Sequence, residues 1–310
     1  MEKKRKYPWT TRGWDFSQPG WHSKPSSAYQ LMVMALRISP SYELARKVRS
    51  GESTQSDLKK LPKDFDQVLE TFDLIGDATK IIFRNWWLRG GIEIFATPYT
   101  KPDIKVLDTF VFEEIVNKKE LSKNLEVNLI NERLSEGLPP AMLLSIPLTL
   151  TKTEILKKIK RILNETKTQT PELPKQPLIK LMGQRINSKA ILRGFTLLWA
   201  KSAHPERELW RLGAQAKISA TYSSVLNYKG PRKPKDAIEM NDRIILSKIT
   251  FRTLKRYELI VENAARGRFP CDANVECAEF DYPAIEAREL SHRKWRKELQ
   301  DNWLKTRGWI

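Results

Sequence analysis

Several stretches of the chain place apolar residues at helical spacing. One predicted helix begins after Ser39 and ends at Gly51, because a serine followed by proline is a good helix start and glycine is a good stop. Residues 65–72 continue the helical pattern. Thr151–Glu154 has the spacing of a capping box and begins a predicted helix over residues 155–163.

Four shorter apolar stretches have the pattern of strands. Residues 92–95 alternate between apolar and polar side chains, and residues 104–112 and 125–130 are further strand candidates. Residues 141–150 are nearly all apolar, as in a buried strand. Together with the helices before and after them, these stretches predict a mixed α+β domain in the first half of the chain.

Changes of composition mark the expected boundaries along the chain. Residues 1–27, rich in Trp, Pro, Ser and Gly, are expected to form an irregular arm. Residues 166–177 contain three prolines and one large apolar residue, which is typical of an extended linker. The predicted fold class is therefore α+β: an α+β domain over residues 28–165, the linker, and a mainly α domain over residues 178–310 that contains a helix-turn-helix-like element.

Composition excludes several protein classes. The 310 residues are 40% hydrophobic and include ten tryptophans, so whole-chain disorder is not expected. Two cysteines cannot support a disulfide scaffold, and this scarcity fits a reducing, cytoplasmic location. There is no apolar run long enough to span a bilayer, and the basic N-terminus is not followed by the apolar core of a signal peptide.

The positive charge is concentrated in one part of the chain. The formal net charge is +18, and residues 151–250 alone contain 21 basic and 8 acidic side chains. A polyanionic partner favours such clustering, since each Lys or Arg that neutralises a phosphate releases condensed counterions. The sequence thus predicts nucleic acid as the partner, with a lysine-rich solvated surface as the alternative. No membrane partner is expected, because the amphipathic pattern for one is poor.

The helical region contains a candidate helix-turn-helix. Residues 188–203 form one predicted helix, residues 206–216 a second, and residues 220–226 a short third, with Gly213 and Ala216 small where the helices cross. An ordinary pair of bundled helices remains the alternative. In the helix-turn-helix interpretation, the short side chains of Ser219, Thr221, Ser223 and Ser224 would bring a helix terminus near phosphates or base edges. Lys217, at the turn position that commonly holds glycine, is a further candidate for contact with nucleic acid.

Basic residues follow this element and suggest contacts to phosphates. Residues 228–235 form a stiff, proline-containing loop in which Lys229, Arg232, Lys233 and Lys235 are the predicted phosphate contacts. The next predicted helix, residues 242–265, ends beside Arg266 and Arg268, which are further candidates for backbone contacts.

The C-terminal residues 290–309 predict a helix on which Trp295 and Trp303 share a stripe. This stripe, or the N-terminal arm, is a candidate site for a protein partner.

The chemistry of an enzyme is not indicated. The three histidines are scattered, and Cys271 and Cys277 lack the second pair or adjacent histidines that a zinc site needs. The sequence has neither of the common glycine-rich nucleotide-binding motifs. We therefore expect a protein that is not an enzyme, with no catalytic residues, no metal site and no cofactor.

Short blocks of the sequence resemble a poorly characterised group of proteobacterial proteins from plasmids, prophages and integrative elements, some of them described as transcriptional-regulator-like. The blocks are residues 42–46, 76–77, 86–90, 146–148 and 265–270. The resemblance covers most of the chain, and the tryptophan-rich arm fits it least well. It implies a DNA-binding role in a mobile element and brings no catalytic residues with it.

Two functional hypotheses follow from these observations. The first is a non-enzymatic DNA-binding protein of a bacterial mobile element, either a transcriptional regulator or a replication initiator, that inserts its helix-turn-helix into the major groove of double-stranded DNA while the basic loop holds phosphates. The alternative is an RNA-binding, ribonucleoprotein or assembly subunit that uses its basic patch and its tryptophans.

Overall fold

The protein is mainly helical. A computed structural model describes residues 20–23, 26–96, 104, 106–110, 118–132, 141–166, 176–183 and 186–306. Throughout these residues there is no β-strand, and the only extended pairing is an isolated parallel bridge between Leu181 and Phe269. The predicted α+β fold class is therefore wrong.

The α-helices are connected by turns and irregular segments. Short 3-10 turns occur at Trp21–Ser23 and Ala78–Lys80, and π-helical turns at Trp87–Gly91 and Val127–Glu132. The helices described are α1 Ser26–Ile38, α2 Pro40–Ser50, α3 Gln55–Leu58, α4 Phe65–Ile75, α5 Phe83–Trp86, α6 Ile92–Phe95, α7 Lys118–Glu126, α8 Lys152–Glu165, α9 Ser188–Ala203, α10 Leu209–Gln215, α11 Tyr222–Val225, α12 Ala237–Ala264 and α13 Tyr282–Thr306.

Local signals in the sequence set the ends of several helices. The side chain of Ser39 accepts a hydrogen bond from the Tyr42 amide, and Gly51 ends α2 in the left-handed conformation at φ 73°. Thr151 and Glu154 form the predicted capping box of α8. These helix predictions are confirmed because they depend on contacts within a few residues.

The strand predicted over residues 92–95 is helix α6 instead. The rings of Trp87 and Phe95 stack with their centroids 5.7 Å apart, and both residues are buried. The adjacent residues Ile94 and Phe95 are both buried, whereas neighbouring residues of a strand point to opposite faces. The apolar residues of this stretch therefore follow the helical period.

The other predicted strands also lack partner strands. Residues 125–130 continue from α7 into a π-helical turn. Residues 141–150 form no regular element before α8 and stay exposed apart from the half-buried Leu150. Of residues 104–112, those that the structure describes form no strand. An apolar run becomes a strand only where another strand accepts its backbone hydrogen bonds.

The chain divides into two compact units. The first, called the main unit here, comprises residues 1–86 and 179–310, and the second, called the inserted unit, comprises residues 87–178. Helices from both sides of the predicted linker thus belong to one unit, which differs from the boundaries expected from composition. Residues 1–19 of the predicted arm and 167–175 of the predicted linker lie outside the described residues.

The core of the main unit is built from helices far apart in the sequence. Helix α1 packs against α9, α12 and α13, and α9 packs against α12 and α13. Phe195, Trp199 and Phe269 are almost fully buried there, with Leu31 and Met32 from α1. Gly194 permits the close approach of α9 and α12, because a Cβ at this position would lie 2.2 Å from the ring of Tyr257.

Candidate nucleic-acid interface

The predicted helix-turn-helix lies in helices α10 and α11 and the turn between them. Lys217 ends α10 in the left-handed conformation, with φ 54°. The Ile218 amide donates to the Gly213 carbonyl at 3.0 Å and the Lys217 amide to the Ala214 carbonyl at 3.2 Å. This is the Schellman pattern that usually places glycine where Lys217 stands. The turn therefore carries an exposed lysine at its tip.

Gly213 and Ala216 are buried, as the sequence predicted, but the crossing helix is different. A Cβ on Gly213 would lie 2.0 Å from the Thr250 hydroxyl and 3.2 Å from Leu246, both on α12. Leu226 is buried after α11, whereas its neighbour Val225 is 66% exposed. The small residues thus fit α10 against the long helix α12 rather than against a recognition helix.

Most hydroxyl groups of the predicted recognition helix form hydrogen bonds within the turn. The Ser219 hydroxyl accepts a hydrogen bond from the Tyr222 amide, and the Ser223 hydroxyl donates to the Gly213 carbonyl at 3.1 Å. The Ser224 hydroxyl donates to the Thr221 carbonyl at 2.7 Å. Helix α11 has four residues, about one turn. It is therefore too short to lie along a major groove as a recognition helix does, although Thr221 is exposed.

The basic loop is held by two arginines that both contact the ring of a tryptophan. The guanidinium carbons of Arg211 and Arg243 lie 4.4 and 4.1 Å from the centroid of the Trp210 ring. Both are cation–π distances, and Trp210 is itself buried. Glu208 and Glu239 each bind one of these arginines at 2.6 Å.

Both arginines donate to carbonyls of the loop. Arg211 donates to the carbonyls of Tyr228 at 2.7 Å, Gly230 at 2.9 Å and Pro231 at 3.1 Å. Arg243 donates to the carbonyls of Arg232 at 2.5 Å and Pro231 at 3.0 Å. The planar guanidinium fork suits such multiple bonds. The loop backbone is therefore fixed by contacts to helices α10 and α12.

Because the loop carbonyls are bound from inside, its basic side chains remain on the surface. Lys229, Arg232, Lys233 and Lys235 are all exposed, and so is Lys217 in the neighbouring turn. Within the part of the chain that the structure describes, none of the five forms an ion pair. We call these five residues the cationic surface. It offers positive charge without an ion-paired carboxylate among the described residues, and Glu239 accepts the Lys235 amide rather than its ammonium group.

The structure removes Arg266 from the candidate interface. Its side chain is completely buried and forms ion pairs with Asp64 at 2.7 Å and Glu262 at 3.2 Å. Burial alone would lower the pKa of Arg266, but the hydrogen bond with Asp64 and the charge of Glu262 outweigh burial and raise it. The same hydrogen bond lowers the pKa of Asp64. Arg268 is half-buried beside this pair.

Sequence reasoning missed the residues that fix the loop. Trp210, Arg211 and Arg243 were absent from the predicted site, although two acid–arginine pairs at helical spacing, Glu208 with Arg211 and Glu239 with Arg243, precede and follow the loop. Such pairs stabilise helices locally, so their second role as anchors for loop carbonyls has no signal in the sequence.

The C-terminal helix contributes little to the candidate interface. Trp295 is half-buried on α13, with its ring 5.6 Å from that of His292, and the Trp303 side chain lies outside the described residues. The described residues contain no cluster of His, Cys, Asp or Glu that could hold a metal ion. They also contain no helix that is long and apolar enough to cross a membrane.

Comparison of the chain with protein-family models, with curated proteins and with solved structures found no match. The proposed binding activity therefore depends on the chemistry of the site, and the proposed role in a mobile element depends on the sequence resemblance.

Proposed function

We propose that the protein binds nucleic acid, with double-stranded DNA as the preferred partner, through phosphate contacts made by the cationic surface. The observation that carries this proposal is the fixed loop: its backbone is held by Arg211 and Arg243, and its four basic side chains are exposed, as is Lys217 in the neighbouring turn. None of these five side chains forms an ion pair with a residue that the structure describes. A fixed backbone reduces the conformational entropy lost on binding, and the unpaired charges replace condensed counterions. Regulation of transcription or initiation of replication in a mobile element is the role proposed for this binding.

Phosphate contacts are favoured over reading of bases. Most hydroxyl groups of the predicted recognition helix form hydrogen bonds to neighbouring backbone groups, and α11 has only four residues. Contacts to phosphate position a protein on the duplex but carry no sequence information directly. We therefore expect the cationic surface to bind DNA with weak sequence preference. Any direct contact to a base would come from the exposed Thr221.

A salt series on duplex DNA tests the proposal. If all five cations neutralise phosphates, the logarithm of the binding constant should fall with the logarithm of salt concentration with a slope of about −4.5. The variant Arg232→Ala/Lys233→Ala/Lys235→Ala should reduce the magnitude of that slope by about 2.7 and weaken binding to every sequence alike.

The matched control removes the same charge elsewhere. Lys157, Lys158 and Lys160 are exposed on α8 in the inserted unit, so Lys157→Ala/Lys158→Ala/Lys160→Ala has the same net charge as the loop variant. It should bind DNA like the unsubstituted protein. Equal weakening by both variants would show that overall charge, and not the loop, drives binding. A slope near zero for the unsubstituted protein would overturn the proposal, and tighter binding of single-stranded RNA in competition would favour the RNA alternative.

A further inference from the structure

A cleft lies beside the cationic surface in the main unit. It has a volume of about 490 Å³ and is lined by residues 203–208, which connect α9 to α10, together with Arg211 of α10 and Arg232 of the loop. This volume is within the range of sites for small ligands. Arg232 thus belongs both to the cationic surface and to the wall of the cleft.

Positive charge in the cleft exceeds the carboxylates that could neutralise it. Arg211 donates to Glu208 at 2.6 Å and uses its other N–H groups on loop carbonyls, so this pair is satisfied internally. Arg207 and Arg232 form no ion pair with any residue that the structure describes. Glu206, which is exposed, is the other acidic residue of the lining.

The position of Arg207 is fixed before any ligand binds. Its amide donates to the His204 carbonyl at 3.1 Å, and its side chain donates to Gln215 at 2.5 Å. The Lys201 ammonium donates to the Pro205 carbonyl in the same connection. Partial burial and the nearby charge of Arg211 lower the pKa of Arg207, against an opposing effect of Tyr228. An anion in the cleft would relieve this unfavourable environment of the guanidinium.

We propose that this cleft binds a phosphate group of the nucleic acid between Arg207 and Arg232. The guanidinium fork matches the oxygens of a phosphate, and Arg232 connects the cleft to the loop that contacts neighbouring phosphates. The inference rests on the proposed function and adds to it a residue, Arg207, that lies outside the cationic surface. It extends the footprint of the nucleic acid from the loop to the α9–α10 connection.

The variant Arg207→Gln tests this inference on the full chain with duplex DNA as the probe. We expect binding to weaken about tenfold at moderate salt, as for loss of one charge-assisted hydrogen bond, and the salt slope to fall by about 0.9. Arg207→Lys keeps the charge and should retain the slope while losing part of the affinity. Arg252→Gln, which removes an exposed arginine from α12, should change neither quantity.

A second variant separates binding from structure. Gln215→Ala removes the hydrogen-bond partner of Arg207 without changing charge, so it should leave the salt slope unchanged. If Arg207→Gln behaves like Arg252→Gln while the loop triple variant binds weakly, the cleft assignment is overturned and the proposed function stands. If Arg207→Gln weakens binding but leaves the salt slope unchanged, the role of Arg207 is structural and the assignment is overturned as well. If both Arg207→Gln and the loop variant bind normally, both proposals are overturned.

Discussion

Helices α2 and α8 have similar local sequence signals and different surroundings. Each is amphipathic and begins with a side-chain cap, Ser39 in α2 and Thr151 in α8. Helix α2, in the main unit, buries Tyr42, Leu44 and Ala45, whereas α8, in the inserted unit, buries none of its residues. An amphipathic pattern and a cap thus determine that a helix forms, but they do not determine whether its apolar face is covered.

The same contrast holds for the two units as wholes. Among the described large apolar residues of the inserted unit, Trp87, Ile94 and Phe95 are buried. Exposed ones are numerous between residues 141 and 163, namely Met142, Leu143, Leu144, Ile146, Leu148, Leu156, Ile162 and Leu163. Because burial supplies most of the free energy of folding, we expect substitutions in the main unit to affect stability far more than equivalent substitutions in the inserted unit.

The largest difference in stability between the units should come from replacing one ion-paired arginine in each. Arg266→Met leaves Glu262 buried without its ion-pair partner, which should lower the free energy of unfolding by about 3–5 kcal/mol. Arg161→Met breaks an exposed pair with Glu165 and should cost about 0–1 kcal/mol. Urea denaturation followed by circular dichroism measures both. Similar losses in the two variants would contradict the comparison.

Substitution of one glycine in each unit should give a smaller difference in stability. Gly194→Ala would place a Cβ against the Tyr257 ring, and we expect it to destabilise the protein by about 1–3 kcal/mol through overpacking. At Gly90, no atom of the residues that the structure describes lies within 4 Å of the corresponding position. Gly90→Ala should therefore be neutral or stabilise the protein by up to about 1 kcal/mol, since alanine restricts the unfolded chain. Thermal unfolding distinguishes the two signs.

Acid should destabilise the main unit through His292. The side chain is buried and bonded to the Thr79 carbonyl; burial, and secondly the charge of Arg37, lower its pKa to about 3. The folded-state pKa is thus below the ordinary value of about 6.5, so the neutral histidine favours folding above that pH. This contribution is lost as pH falls from about 6.5 towards 3.

The expected loss is at most about 1.4 kcal/mol per pH unit for one proton. Unfolding free energies between pH 6.5 and 4.5 measure it, because the described carboxylates with lowered pKa values lose their contribution at lower pH. His292→Gln should flatten the profile in this window. The inserted unit contains no histidine, so an equally steep profile in the variant would show that another group is responsible.

The fate of individual basic residues shows how much of the site could be predicted. Arg232 and Arg266 both lie in basic, turn-forming stretches, and both were candidates for phosphate or backbone contacts. Arg232 is exposed beside a fixed loop, while Arg266 is buried against Asp64, which is 202 positions away in the chain. The prediction of a cationic loop depended on neighbouring residues. Arg266 is excluded from the interface because it is buried against a distant carboxylate, which no local pattern in the sequence indicates.

By itself, the sequence determined where helices such as α2 and α8 begin, and where positive charge is concentrated, because caps, prolines, glycines and charge clusters act over a few residues. The tertiary structure alone decided that apolar runs without partner strands do not become a sheet, that Arg211 and Arg243 both contact the Trp210 ring, and that α2 is covered while α8 is not. Each of these outcomes depends on groups brought together from distant parts of the chain, and burial is a property of that assembly.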